Sequence, residues 1–287
     1  MDLCNRSDIQ ALLARHGFHF SKSMGQNFLI ESWVPAQIAD ASGADAGMGV
    51  LEIGPGIGPL TQQLAQRSGR VVSVELDRRL RPVLAETMAG FDNFTLVEGD
   101  AMKMDLRALT AEHFAGLRPI LCANLPYNIT TPFLTACVRA GCFESLTVLI
   151  QKEVAERLCA APGTGEYGAF SVLVQWYAEP CLLFDVPPHC FVPQPKVTSA
   201  VVRMDRRTTP PAEVNDVKFF FRTVRSAFAQ RRKTLSNALR SGFPELDRAE
   251  VDAAIAETSL PPTVRGETLS LAQFAALSNA LLRRFDK

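Results

Sequence analysis

The tetrapeptide Asn124-Leu125-Pro126-Tyr127 closes an apolar run, Pro119–Ala123, that reads as a buried β-strand. A strand ending in an amide, a rigid proline and an aromatic ring offers hydrogen-bond acceptors and a flat stacking surface at a sheet edge. That set suits a planar amino group such as that of adenine. An adenine amino nitrogen is a poor nucleophile, because its lone pair is delocalised into the ring. Acceptors on its two hydrogens, from the Asn124 side chain and from a Leu125 or Pro126 carbonyl, favour a pyramidal nitrogen and localise that pair. Tyr127 would hold the base by stacking, as flipped and single-stranded bases are held. Phe191, set among prolines in Phe191-Val192-Pro193-Gln194-Pro195, is a second aromatic that could cover the other face; a core phenylalanine beside a rigid loop explains it equally well. Taken alone, the tetrapeptide is also an ordinary turn, since Asn and Pro favour turns.

A second constellation supplies the reactive partner. Glu52-Ile53-Gly54-Pro55-Gly56-Ile57-Gly58 lies between a short apolar strand, Val50–Ile53, and a helix predicted over Pro59–Arg67. Glycines there let the backbone approach a ligand at a helix N-terminus. Three glycines in a strand-to-helix turn also serve purely structural ends. Glu75, about twenty residues on at the end of the next strand, adds an acid able to take both ribose hydroxyls. A dinucleotide fingerprint needs a third glycine where this chain has Pro59, so a nicotinamide oxidoreductase is the less fitting alternative. The alternating glycines preceded by Glu52 resemble the first motif of class I methyltransferases. Asp100, after the third strand, could then accept from the adenine amino group of S-adenosylmethionine. The negative Glu52 suits a zwitterionic, sulfonium-bearing ligand better than a pyrophosphate. A sulfonium needs no metal.

The elements that must position these residues alternate between strand and helix through the first two-thirds of the chain. The pattern predicts an α/β fold of the Rossmann-like class I methyltransferase type, mostly parallel, with helices on both faces. Strands are expected at Arg70–Val74, Phe94–Glu98, Ser145–Gln151, Leu182–Asp185 and Ser199–Met204, helices at Arg79–Met88 and from Gln151 to Ala160, and a loop at Gly163–Gly168. Gln26–Leu29 reads as a buried loop. Arg206–Ala212 is the linker, dividing a methyltransferase domain, 1–208, from a small all-α domain, 209–287.

At 287 residues and 47% hydrophobic, the chain can bury a substantial core. Seven cysteines without a C-x-x-C pair, and four histidines without ligand spacing, indicate neither a disulfide framework nor a zinc site. No signal-peptide core or membrane-length apolar run is present, so a cytoplasmic protein, acting as a monomer away from membranes, is expected. The net charge of zero argues against a wholly basic nucleic-acid binder, but ten Lys/Arg against three acids fall between Arg203 and Arg240. Taken as one helix over Val217–Arg240, this segment places Arg222, Arg225, Arg232, Lys233 and Arg240 on one face. RNA phosphates are the expected partner of Arg222, Arg225, Arg232 and Lys233; a solvated face fits the charges as well, and a break near Gln230 would spoil the alignment. Arg231 projects to the apolar side and is expected to fix the junction between domains.

Together these motifs resemble the ribosomal RNA adenine dimethyltransferases over nearly the whole chain. The likeness runs through Lys22-Ser23-Met24-Gly25-Gln26-Asn27-Phe28-Leu29, Glu52–Gly58, Glu98-Gly99-Asp100, Asn124–Ile129, Gln151–Ala155, Phe191–Ser199 and Arg231–Asn237. The resemblance implies that Asn27 and Leu29 close over the cofactor, with Gly54, Glu75, Asp100 and Asn124 as further contacts. It also implies dimethylation of two adjacent adenosines near the 3′ end of small-subunit rRNA, on the immature small subunit. A sister branch acts on large-subunit rRNA and confers macrolide resistance. It usually has Ile where this chain has Leu125 and tends to be strongly basic, which makes it the alternative here. A scaffolding assembly factor without turnover is the remaining non-enzymatic alternative.

Overall fold

The computed structural model describes residues 1–19 and 26–285. The Lys22–Gly25 part of the N-terminal motif lies outside the described residues. The chain divides into two compact units, Met1–Ala155 with Glu179–Arg206, and Glu156–Ala178 with Arg207–Lys287.

The first unit is built on β2 (Met48–Ile53), β3 (Arg70–Glu75), β4 (Phe94–Glu98), β5 (Arg118–Asn124), β6 (Ser145–Gln151), β7 (Ala178–Val186) and β9 (Ser199–Arg206). They lie in the order β4-β3-β2-β5-β6-β9-β7, and β1 (Phe28–Leu29) pairs separately with β8 (Phe191–Val192). The pairs β2–β3, β3–β4, β2–β5 and β5–β6 are parallel, while β9 runs antiparallel to β6. Strands this apolar need cover on both faces, and β5 and β6 are buried almost end to end. From β2 the chain winds outward through β3 to β4, then returns to β5 on the other side of β2. The exits of β2 and β5 therefore flank the point where strand order reverses, the place where open α/β sheets hold ligands.

Several expectations are refined. Gln26–Leu29 does not end as a loop, because Phe28 and Leu29 pair antiparallel with Val192 and Phe191. The helix expected at Arg79–Met88 starts as a 3₁₀ turn, Arg78–Leu80, capped by Asp77, before Arg81–Thr87. The second unit is helical, as expected of the C-terminal region, and it also takes in Glu156–Ala178, including an unforeseen helix Ala169–Tyr177. Its core is aromatic: Trp176 lies 4.2 Å from Phe220 and Phe219 lies 5.1 Å from Phe243, ring centroid to centroid. Arg231 acts within this unit, donating to the carbonyls of Gly165 and Tyr167. No described helix is long and apolar enough to cross a membrane.

Candidate active site

A cleft opens at the carboxyl ends of the parallel strands. It is lined by Asn27, Leu29, Glu52, Gly54, Gly56, Glu75, Asp100 and the whole Asn124–Tyr127 tetrapeptide. Topology alone brings together these residues from four strand ends and the N-terminal segment.

The floor is the glycine turn. Gly54 and Gly56 both adopt positive φ, +69° and +61°, a region an L side chain rarely enters. A Cβ on Gly56 would lie 3.1 Å from the Phe28 ring, so the turn is pressed beneath the N-terminal segment. A Cβ on Gly54 would lie 3.6 Å from Pro126, which shows how closely the β2 and β5 exits approach.

Glu52 stands in an otherwise apolar strand because the sheet register supplies its partner. It pairs opposite Ser73 of β3, whose hydroxyl donates to Oε2 at 2.7 Å, and Thr61 from the following helix donates to the same oxygen at 2.8 Å. Among the described residues nothing donates to Oε1. Burial pushes this carboxyl up to about 7; the bonds from Ser73 and Thr61 oppose the rise and the negative Glu75 adds to it. Burial also raises Glu75, against backbone hydrogen bonds from Asp77, Gly56 and Leu76, the first at 2.8 Å. Asp100 uses Oδ1 to cap the turn at Met102, and its Oδ2 lies 3.6 Å from the Lys103 ammonium.

At the β5 exit the hydrogen bonding separates acceptors that are engaged from acceptors that are free. Asn124 Nδ2 donates to the Asn27 carbonyl at 3.2 Å, and among the described residues nothing donates to Oδ1. The Pro126 carbonyl already accepts from the Ile129 amide at 3.2 Å and from the Thr130 hydroxyl at 3.1 Å. The Leu125 carbonyl accepts from no described residue. Of the two carbonyls the sequence left open, Leu125 is therefore the one able to act with Asn124 Oδ1. Tyr127 is half-buried and hydrogen-bonded to Ser199 through its hydroxyl, 2.6 Å, and burial keeps the phenol neutral by raising it.

Phe191 requires a correction. Its ring is fully buried in the core of the first unit and does not line the cleft; β8 pairs it with Leu29, so it packs beneath a strand whose residues line the cleft and is not itself exposed there. Sequence reasoning also missed Ser73, Thr61 and Ser199, the hydroxyls that hold Glu52 and Tyr127. A lone serine in the apolar run Val71–Val74 was the available signal for Ser73. Leu76, 54% exposed at the cleft rim, gave none.

The basic face divides. The helix ends at Ala229 and a second begins at Leu235, so the continuous surface expected over Val217–Arg240 does not form. Arg222 is occupied: it donates to the Gly242 carbonyl at 2.9 Å, pairs with both oxygens of Glu245 at 2.8 Å, and lies 4.4 Å above the Phe243 ring. It closes the C-terminal end of the second helix and is withdrawn from the proposed RNA contacts. Arg225, Arg232 and Lys233 are exposed, and no described residue partners their side chains.

A family model for ribosomal RNA adenine dimethylases matches residues 17–281. The chain is 44% identical to ribosomal RNA small subunit methyltransferase A of Geobacillus thermodenitrificans, strain NG80-2, over 99% of this chain and 98% of that protein. The enzyme of the same name from Bacillus mycoides, strain KBAB4, is 44% identical over 98% of each. Among solved structures, the 23S rRNA methyltransferase ErmE superimposes with a TM-score of 0.69 at 27% identity, covering 89% of this chain and 99% of that one. A dimethyladenosine transferase from Plasmodium falciparum shares the fold, with a TM-score of 0.71 at 22% identity over 90% and 97% of the chains. By sequence along nearly all of its length, this chain belongs to the ribosomal RNA adenine dimethylase family.

Proposed function

We propose that this protein transfers methyl groups from S-adenosylmethionine to the exocyclic amino groups of two adjacent adenosines near the 3′ end of small-subunit rRNA, during assembly of that subunit. The observation that carries the reading is the pair of free acceptors, Asn124 Oδ1 and the Leu125 carbonyl, beside Tyr127 and against the glycine turn. The cradle fits the cofactor: backbone free of Cβ atoms at Gly54 and Gly56, an acid for ribose hydroxyls at Glu75, and an acceptor for the adenine amino group at Asp100. Asn27 and Leu29 cover it.

Bound there, the cofactor supplies a methyl group already activated by its sulfonium. The chain's own work is to align and to polarise. In the first transfer Asn124 Oδ1 and the Leu125 carbonyl accept the two amino hydrogens of the target base, which localises the nitrogen lone pair; in the second, one of them accepts the single hydrogen that remains, and each transfer ends with loss of one amino proton to solvent. Tyr127 holds the base by its face. Alignment of nitrogen and methyl carbon contributes much of the rate, since well-oriented groups supply roughly 7–11 kcal/mol. Small-subunit rRNA is favoured over large-subunit rRNA because the relatives named for the small subunit are 44% identical, against 27% for the 23S enzyme. Arg225, Arg232 and Lys233 contribute phosphate contacts. Mass spectrometry of rRNA from immature small subunits, incubated with the protein and S-adenosylmethionine, tests this: two dimethyladenosines are expected, and unmodified RNA overturns it.

A further inference from the structure

We propose that Ser199 is a positioning residue for the target base, acting by pinning the Tyr127 ring. The inference rests on the methyl-transfer reading above and adds to it a residue in no direct contact with the reacting atoms.

β9 opens on a hydroxyl that packing does not require. Ser199 is fully buried at the start of β9, followed by the apolar Ala200, Val201 and Val202. A hydroxyl buried without a partner costs stability. Its partner is the Tyr127 hydroxyl, 2.6 Å away, and among the described residues each of these two hydroxyls has only the other. The bond joins positions separated by 72 residues, and the sheet explains how. Because β9 runs antiparallel to β6, with Ser199 opposite Gln151, its first residue comes to the edge where β5 and β6 end. The parallel strands deliver Tyr127 to that edge, and the reversed strand β9 delivers the group that holds it.

The ring is thus fixed from both ends. At its backbone, the preceding Pro126 has a fixed φ and a carbonyl held by Ile129 and Thr130. At its far end the Ser199 bond restrains the ring's swing about χ1. A stacking platform set in place before the base arrives does not have to be ordered by it, and that saving appears in turnover. Phe191 is too deeply buried to share this task.

The test is a double-mutant cycle in the methyl-transfer assay on immature small subunits, with S-adenosylmethionine affinity measured by calorimetry and Tm recorded. Ser199→Ala should lower kcat about three- to ten-fold, as loss of one neutral hydrogen bond allows, with cofactor Kd unchanged within about two-fold. Tyr127→Phe, which keeps the ring and removes the same bond, should match it. The double variant should be no slower than the slower single one, because both act through one contact. Additive losses, or full-rate turnover by either single variant, overturn the proposal while leaving the methyl-transfer reading intact. If Ser199→Ala does not fold, Tyr127→Phe alone decides. A wild-type protein that transfers no methyl group removes the functional reading and this proposal with it.

Discussion

The cleft of the first unit and the basic surface of the second treat their polar groups in opposite ways. At the strand exits, Asn124 Oδ1, the Leu125 carbonyl and Glu52 Oε1 have no described partner, although each sits beside a group that is already hydrogen-bonded. In the helical unit the first cation of the face, Arg222, is engaged through Nε and Nη2 by Gly242 and Glu245 and lies over the Phe243 ring. Free polar atoms in a partly buried cleft are costly to an empty protein and useful to an occupied one. A surface arginine engaged in this way stabilises the fold that holds it. Between Asn124 and Arg222 the hydrogen-bond complement separates a group left open to a ligand from one committed to the fold, and residue type alone does not.

The comparison breaks first at Asn124. Asn124→Ala removes an acceptor that matters in the transition state and should lower kcat by about 10²–10³, the range for losing one preorganised hydrogen-bonding group. Cofactor affinity measured by calorimetry should stay within a few-fold. Turnover near the wild-type rate would mean that the free amide oxygen is incidental.

Glu52 sharpens the same contrast through pH. Its folded-state carboxyl, pushed up to about 7 by burial, binds a proton that the unfolded chain has already released above the usual carboxylate range. Stability therefore falls as pH rises from about 4.5 to 7, and above 7 the protein carries a buried charge it holds at a cost. Glu52→Gln keeps acceptors for Ser73 and Thr61 and abolishes the charge. Urea melts should show the variant more stable than wild type at pH 8, by on the order of 2–3 kcal/mol, with the gain gone near pH 5. Its cofactor affinity should fall. A variant destabilised at pH 8 would show that Glu52 is structural.

The cleft was legible in the sequence because strand ends are fixed by topology. Once Val50–Ile53, Arg70–Val74 and Pro119–Ala123 are read as parallel strands, their terminal residues Gly54, Glu75 and Asn124 must share an edge. What could not be read was burial depth and pairing across the fold. Phe191 and Tyr127 are both aromatics beside prolines, but β8 turns one into the core while the β5 exit leaves the other at the cleft. Ser199 and Thr61 depend on neighbours far along the chain. The basic face failed where its premise failed: periodicity assigns a common side only within an unbroken helix, and the break after Ala229 ends that inheritance. The break falls at Gln230, the place the sequence reading allows for one, although Gln230-Arg231-Arg232-Lys233 carries no glycine or proline. The helical unit's claim on Glu156–Ala178 was hidden, since it follows from an aromatic core assembled from distant segments.

The smallest effects separate the two kinds of arginine within that basic region. Arg222→Ala should lower stability by about 1–2 kcal/mol through the lost carbonyl cap and ring contact, read as a lower urea midpoint, and should leave the salt dependence of RNA binding unchanged. Neutralising Arg225, Arg232 and Lys233 together should do the reverse. The urea midpoint should hold, because no described residue depends on these side chains. The slope of log K against log salt should flatten by about 0.7–0.9 for each of the three that touches a phosphate. If the Arg222 variant flattens the slope and the triple variant does not, the division drawn from hydrogen bonding is inverted, and engagement by the protein's own groups fails as a guide to which cations meet RNA.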